Sequence, residues 1–136
     1  MNSLALVTWR AGDQQFAVEA SRILTLQPYS NNMDCHSLHQ LLPGLDAEAP
    51  AYCLGWQADG HTCWLAIRDE PLHLQLPLDA LWPLPASLQK ARQNPAIRAL
   101  GWHRGRPLTL LDTRELARQF HPPAPTGSSS PRAIDF

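Results

Sequence analysis

The sequence predicts an all-β fold with a few short helices, arranged as one or two small barrels. Short runs rich in strand-forming residues recur at regular spacing, turn residues separate them, and only brief stretches favour helix. This pattern is typical of small barrels and unlike that of a parallel α/β sheet. With 136 residues, of which 44% are hydrophobic, the chain can form one domain, or two tightly joined subdomains, around a substantial core.

Three strands are predicted in the first part of the chain. Residues 4–9 are apolar, a turn follows at 11–14, and residues 15–19 alternate between polar and apolar, so residues 4–19 predict a hairpin. A third strand is expected at 23–26, ended by Pro28. Residues 37–42 favour one or two helical turns that Pro43 and Gly44 stop.

The middle of the chain predicts a second hairpin. Residues 51–56 and 61–67 flank the turn residues Ala58, Asp59 and Gly60. Residues 72–76 alternate at period two between two prolines, which indicates an edge or crossover strand.

The last part predicts a short helix at 87–93, a hairpin from 97–102 and 106–111, and a helix at 113–120. Asp112 is the expected N-cap, and Glu115 would complete a capping box.

Composition divides the chain at residue 120. Residues 1–120 are expected to form the folded domain, and residues 121–136 a disordered, Pro- and Ser-rich tail. The tail ends in Ile134 and Phe136, an apolar pair that could dock on a partner or on the protein's own barrel.

Charge is unevenly distributed. Residues 1–84 contain three arginines and nine acidic residues, whereas 85–120 contain seven basic and two acidic residues. This polarity favours association with a partner of complementary charge. Nucleic acid is not expected to be a partner, because aromatic residues are not interleaved with a continuous basic run and the net charge is −1.

No apolar run is long enough to span a membrane, and the N-terminus lacks the order of a signal peptide. The expectation is a soluble, cytoplasmic protein that does not insert into membranes. Three cysteines are an odd number for such a chain, so a disulfide framework is not expected.

Enzymatic motifs are absent from the sequence: it has no phosphate-binding glycine loop, no Gly-x-Ser-x-Gly and no His-Glu-x-x-His. The prediction is a non-enzyme with no catalytic residue, cofactor or metal. Two alternatives involve the Cys and His residues. Cys35 with His36 or His39 could supply a thiol nucleophile and its base, or this group could join a second set in a zinc site. The second set is Cys53, His61 and Cys63.

Five tryptophans are many for this length. They are Trp9, Trp56, Trp64, Trp82 and Trp102. Most are expected to fill the core. Trp82 and Trp102 lie at the ends of predicted elements, so they are the expected exposed pair and candidate partner-binding anchors in a groove. Arg104, in the turn next to Trp102, is a further candidate contact.

Several stretches resemble the CheW-like domain family of chemotaxis coupling proteins. Residues 6–19 with Ile23-Leu24 resemble the family's opening strands, and residues 61–70 its middle strand ending in an aliphatic-x-Asp step. Residues 76–85 resemble its proline-marked crossover, and residues 97–116 its closing hairpin and helix start. The order and spacing of these stretches carry the resemblance over most of residues 4–120.

The resemblance implies two small, intertwined SH3-like β-barrel subdomains with a hydrophobic groove between them. It also implies an adaptor or scaffold that links chemoreceptors to a CheA-type histidine kinase, with a CheW-like protein as another candidate partner. One departure is clear: the Arg-Gly strand segment usual after the third strand is missing, and only residues 34–42 resemble its end. The chain is therefore a diverged member on this interpretation. A second function class, a metal- or ligand-sensing module that uses the Cys/His set on the same scaffold, stays open.

Overall fold

The computed structural model describes residues 2–42, 44–83 and 94–121, and in these ranges it contains nine strands and one α-helix. The strands are β1 (Ser3–Ala11), β2 (Gln14–Glu19), β3 (Thr25–Pro28), β4 (Tyr52–Ala58), β5 (His61–Ile67), β6 (Leu72–Pro77), β7 (Leu81–Pro83), β8 (Ile97–His103) and β9 (Arg106–Leu111). The α-helix is α1 (Thr113–Phe120), and 3₁₀ turns occupy Ala20–Arg22, Leu38–Gln40 and Leu78–Ala80.

The strands form two sheets. The larger has six strands in the order β6-β1-β2-β9-β8-β7, and the smaller has three in the order β3-β4-β5. Neighbours run antiparallel except β2 and β9, which are parallel. The six-stranded sheet curls into a half-barrel, so its edge strands β6 and β7 contribute to the same core. The predicted mostly-β fold with short helices is confirmed.

The β1–β2 hairpin separates two hydrophobic cores and contributes side chains to both. Side chains alternate across a strand, so neighbouring residues of the hairpin face opposite sides. Leu6 and Ala17 pack inside the half-barrel. Trp9, Phe16 and Val18 pack on the other side, against the small sheet and α1. The half-barrel core consists of Leu6, Ala17, Leu76, Ala99, Leu108 and Leu110.

Tight two-residue turns close two of the hairpins. Asp59 and Gly60, between β4 and β5, both have positive φ, as do Arg104 and Gly105 between β8 and β9. Positive φ at both positions matches the right-handed twist of the flanking strands, and Asp-Gly is a preferred pair for it. The turn predicted at Ala58-Asp59-Gly60 is therefore confirmed.

Asp112 caps α1 as predicted, but the capping box is wrong. One oxygen of the Asp112 carboxylate accepts from the backbone N–H groups of Arg114 (2.9 Å) and Glu115 (3.3 Å). The N–H of Asp112 donates to the carbonyl of Ala96 at 2.8 Å, so it does not need the Glu115 side chain. The Glu115 carboxylate pairs with the Arg118 guanidinium instead, at 2.6 Å.

Other predicted elements are close to the observed ones. The third strand begins two residues later than expected, because a 3₁₀ turn precedes it, and the helical turns at 37–42 are one 3₁₀ turn. Strand 72–76 is an edge strand, as predicted. The short strand β7 was not predicted. The helix expected at 87–93 and the tail after residue 121 lie outside the described residues.

The packing at Gly55 generates a stability prediction. A Cβ at this position would lie 2.6 Å from the indole ring of Trp64, its cross-strand partner, and 2.8 Å from the Thr25 side chain. We expect Gly55→Ala to lower the free energy of unfolding by about 1–3 kcal/mol, as overpacking does. Denaturant titration measures this. In a Trp64→Leu background the same substitution should cost clearly less, and an equal cost in both backgrounds would contradict the steric explanation.

Candidate functional site

Two neighbouring strands carry an exposed apolar surface, the tryptophan face, made of Trp82, Leu100 and Trp102. Trp82 on β7 is directly opposite Leu100 on β8, and Trp102 is two residues further along β8. Leu81 and Ala99, which precede Trp82 and Leu100, point the other way and pack in the half-barrel core. The exposed fractions are 56% for Trp82, 43% for Leu100 and 53% for Trp102. The predicted exposure of the two tryptophans is confirmed.

The remaining tryptophans have structural roles. Trp9 and Trp56 are buried, and Trp9 stacks on Phe16. The indole N–H of Trp56 donates to the carbonyl of Thr113 at 3.1 Å, which ties β4 to the start of α1. Trp64 is half-buried across from Gly55. Core filling is therefore confirmed for Trp9 and Trp56, whereas the expectation that most of the five tryptophans fill the core is wrong, since only these two are buried.

The hairpin that carries Leu100 and Trp102 is rich in arginine. Residues 97–111, the β8–β9 hairpin, contain three arginines and no acidic residue. Arg104 occupies the tip of the turn at φ 53° and is exposed, as is Arg106. Arg98 is the extra residue of a β-bulge in β8 and pairs with Glu19 at 3.3 Å. The hairpin therefore presents apolar area beside positive charge.

A second apolar surface, the leucine groove, lies between the two sheets. It encloses about 250 Å³ and runs between β3 and the start of β6, with the β1 residue Val7 and the β4 residue Leu54 at its floor. Leu24 and Leu72, 66% and 62% exposed, form its rims together with Leu26. None of its lining residues belongs to the tryptophan face.

The proposed anchors and the groove are separate. The hypothesis that Trp82 or Trp102 lines a groove between the subdomains is wrong for the leucine groove, because both lie on the outer face of β7 and β8. The exposure of Leu24 and Leu72 was not predicted. Both lie in runs with a strand pattern, and this pattern does not indicate which face of the strand is covered by the rest of the protein. The candidate contacts Ile134 and Phe136 lie outside the described residues.

The Cys/His set is not assembled into one site. Cys53 and Cys63 are both buried but on opposite faces of the small sheet, since Cys63 packs in the core with Trp56 and Cys53 follows the opposite alternation. The Cys35 sulfur lies 2.6 Å from that of Cys53. Within residues 2–42, 44–83 and 94–121, no group of three His, Cys, Asp or Glu side chains is placed to bind a metal ion.

His36 is occupied in an aromatic stack. Its ring lies 4.5 Å from that of Phe120 and 4.9 Å, edge-on, from that of His121. Its backbone bridges to β5, where its N–H donates to the carbonyl of Trp64. The residue thus ties the end of α1 to the small sheet, and the pairing of His36 with Cys35 as base and nucleophile has no support in these contacts.

Among the residues that the structure covers, no helix has the length and apolar character needed to cross a membrane.

The two sheets and their strand order define a small, mostly-β fold of CheW-like architecture. The chain superimposes on the crystal structure of the scaffolding protein TtCheW from Thermoanaerobacter tengcongensis with a TM-score of 0.60, over 82% of this chain and 90% of that one. The two sequences are 6% identical, so the likeness is one of fold. No family model and no curated protein matches the sequence.

The exposure of the tryptophan face predicts that its residues contribute little to folding. We expect Trp82→Ala and Trp102→Ala each to change the free energy of unfolding by roughly 1 kcal/mol or less. The matched control, Trp56→Ala, removes a buried and hydrogen-bonded indole and should cost about 3–5 kcal/mol. Thermal or denaturant unfolding followed by circular dichroism gives all three values. If Trp82→Ala or Trp102→Ala lowered the free energy of unfolding as much as Trp56→Ala does, the tryptophan face would be part of the core.

Proposed function

We propose that this chain is a non-enzymatic, cytoplasmic CheW-like adaptor of a bacterial chemosensory system. In this proposal the tryptophan face docks a CheA-type histidine kinase, and the leucine groove docks a chemoreceptor. The observation that carries the proposal is the presence of two separate apolar surfaces on one small CheW-like fold, because an adaptor has to hold two partners at once.

The composition of the tryptophan face favours a protein partner. Tryptophan and arginine are the residues most enriched among those that dominate binding energy at protein interfaces. Here Trp82 and Trp102 stand on paired strands, so little conformational freedom is lost when a partner covers them. Arg104 supplies positive charge at the rim, which favours a partner whose apolar segment is bordered by acidic side chains.

The shape of the leucine groove favours an amphipathic helix. Such a helix binds by placing apolar side chains from successive turns into a hydrophobic groove. Exposed leucines on both rims, Leu24 and Leu72, can contact the two flanks of an inserted helix. A chemoreceptor helix is the occupant proposed for this surface.

The proposal includes the domain organisation expected from the sequence. Residues 1–120 act as the adaptor domain, and Ile134 and Phe136, at the end of residues 121–136, are additional partner contacts. The missing Arg-Gly segment makes the chain a diverged member of the adaptor class, with contacts redistributed to the two surfaces above.

The decisive experiment measures binding of the full chain to the purified kinase and, separately, to receptor fragments from the same cell. We expect Trp82→Ala combined with Trp102→Ala to weaken kinase binding by about 2 kcal/mol or more, roughly 30-fold, and to leave receptor binding unchanged. The matched variant, Leu24→Ala combined with Leu72→Ala, removes a similar exposed apolar area from the other surface. It should weaken receptor binding alone.

Two outcomes would contradict the proposal. If both double variants bind both partners as the wild type does, neither surface is a docking site. If each double variant weakens binding of both partners equally while circular dichroism shows an intact fold, the two surfaces are not specific for one partner each.

A further inference from the structure

Cys35 and Cys53 meet on the face of the small sheet that points away from the core. Residues 29–36 cross this sheet from the end of β3 to the free edge of β5. Tyr29 is anchored at one end through its N–H to the carbonyl of Ala51, and His36 at the other through two backbone hydrogen bonds to β5. Cys35 comes just before the second anchor, and its sulfur lies 2.6 Å from that of Cys53.

We propose that Cys35 and Cys53 form a reversible intramolecular disulfide when the protein meets a peroxide. The two sulfurs are already in contact and the backbone on both sides is hydrogen-bonded, so only a small movement separates the dithiol from the bonded state, in which the sulfurs are about 2.05 Å apart. Cys63, on the opposite face in the core, has no part in the reaction.

The reaction balances with hydrogen peroxide as the oxidant. The Cys35 thiolate attacks one peroxide oxygen, the O–O bond breaks, and the hydroxide that leaves is protonated to water. The Cys53 sulfur then attacks the sulfenic sulfur of Cys35, and its proton leaves with the sulfenic hydroxyl as a second water. Two thiols are oxidised and one peroxide is reduced to two waters.

The surroundings of the two thiols set the order of these steps. Cys53 is fully buried, and this burial, with the hydrogen bond to Cys35 and repulsion from its charge, raises the pKa of the Cys53 thiol to about 12. Cys53 is therefore a neutral thiol near pH 7, whereas Cys35 is partly exposed and open to a small oxidant. Cys35 therefore reacts first with the oxidant, and attack by the buried Cys53 thiol is the resolving step.

The disulfide would tie the crossing segment to β4 and close a chain loop between residues 35 and 53. Such a loop restricts the unfolded chain and so stabilises the folded one. Since Leu54 in the leucine groove follows Cys53, the oxidised form also fixes the strand that floors the groove.

Peptide mapping of the full chain before and after hydrogen peroxide tests the proposal. The oxidised protein should lose the mass of two hydrogen atoms and show one Cys35–Cys53 cross-link, which dithiothreitol reverses. All three cysteines lie in one tryptic peptide, residues 23–68, so cleavage at Glu48 and Asp59 is needed to separate them. The melting temperature should rise by roughly 10 °C on oxidation.

The matched control is Cys63→Ala, which removes a buried thiol from the other face and should keep the cross-link. Cys35→Ser should abolish the cross-link and the shift in melting temperature. Over-oxidised Cys35 without a cross-link, a link that involves Cys63, or a link between two chains would each overturn the proposal. The wild-type map decides these cases even if a variant fails to fold.

Discussion

The structure depends on the alternation of side chains along the β1–β2 hairpin. Leu6 and Ala17 belong to one core, while Val7, Phe16 and Val18 belong to the other. A shift of one residue in the pairing of β1 with β2 would exchange these sets and leave both cores without their partners. Burial on both sides therefore fixes the register of this hairpin, and the hairpin fixes the relation of the half-barrel to the small sheet.

The positions of the two exposed apolar surfaces are also set by the β1–β2 hairpin. The tryptophan face is on β7 and β8, which join the hairpin through β9 and its parallel pairing with β2. The leucine groove has Val7 of β1 at its floor and is bordered by β6, which pairs with β1. The surfaces are thus placed by hydrogen-bonded strands that start from one hairpin. A fold of this kind is suited to hold two partners at a fixed separation, as the proposed adaptor role requires.

Local patterns in the sequence were sufficient for most strands, for the N-cap at Asp112 and for the exposure of Trp82 and Trp102. These features depend on neighbouring residues: alternation, turn residues and position at the end of an element. The joining of all six strands into one curled sheet was not predictable in the same way. It depends on the parallel pairing of β2 with β9, between residues about ninety positions apart in the chain, which no local pattern encodes.

The candidate site shows the same limit. Leu24 and Leu72 are exposed because strands far apart in sequence leave a gap between the sheets, and nothing in the runs around them distinguishes an exposed leucine from a buried one. The contact of Cys35 with Cys53 arises because residues 29–36 cross the small sheet, a path that the polar sequence of this segment does not reveal. Alternation along β5 places His61 and Cys63 on one face of the small sheet, but at Cys63 that face packs in the core, where the described residues form no metal site.

We expect the shared hairpin to join both cores into one cooperative unit, and native-state hydrogen exchange tests this claim most directly. Leu65→Ala removes a fully buried side chain from the small sheet and should lower global stability by about 2–5 kcal/mol. If the hairpin couples the cores, Leu65→Ala should lower the opening free energy of the most protected amides in β8 and β9, on the other side of the hairpin. The decrease should equal that in β4 and β5. Loss of protection confined to β4 and β5, with β8 and β9 unchanged, would contradict the claim.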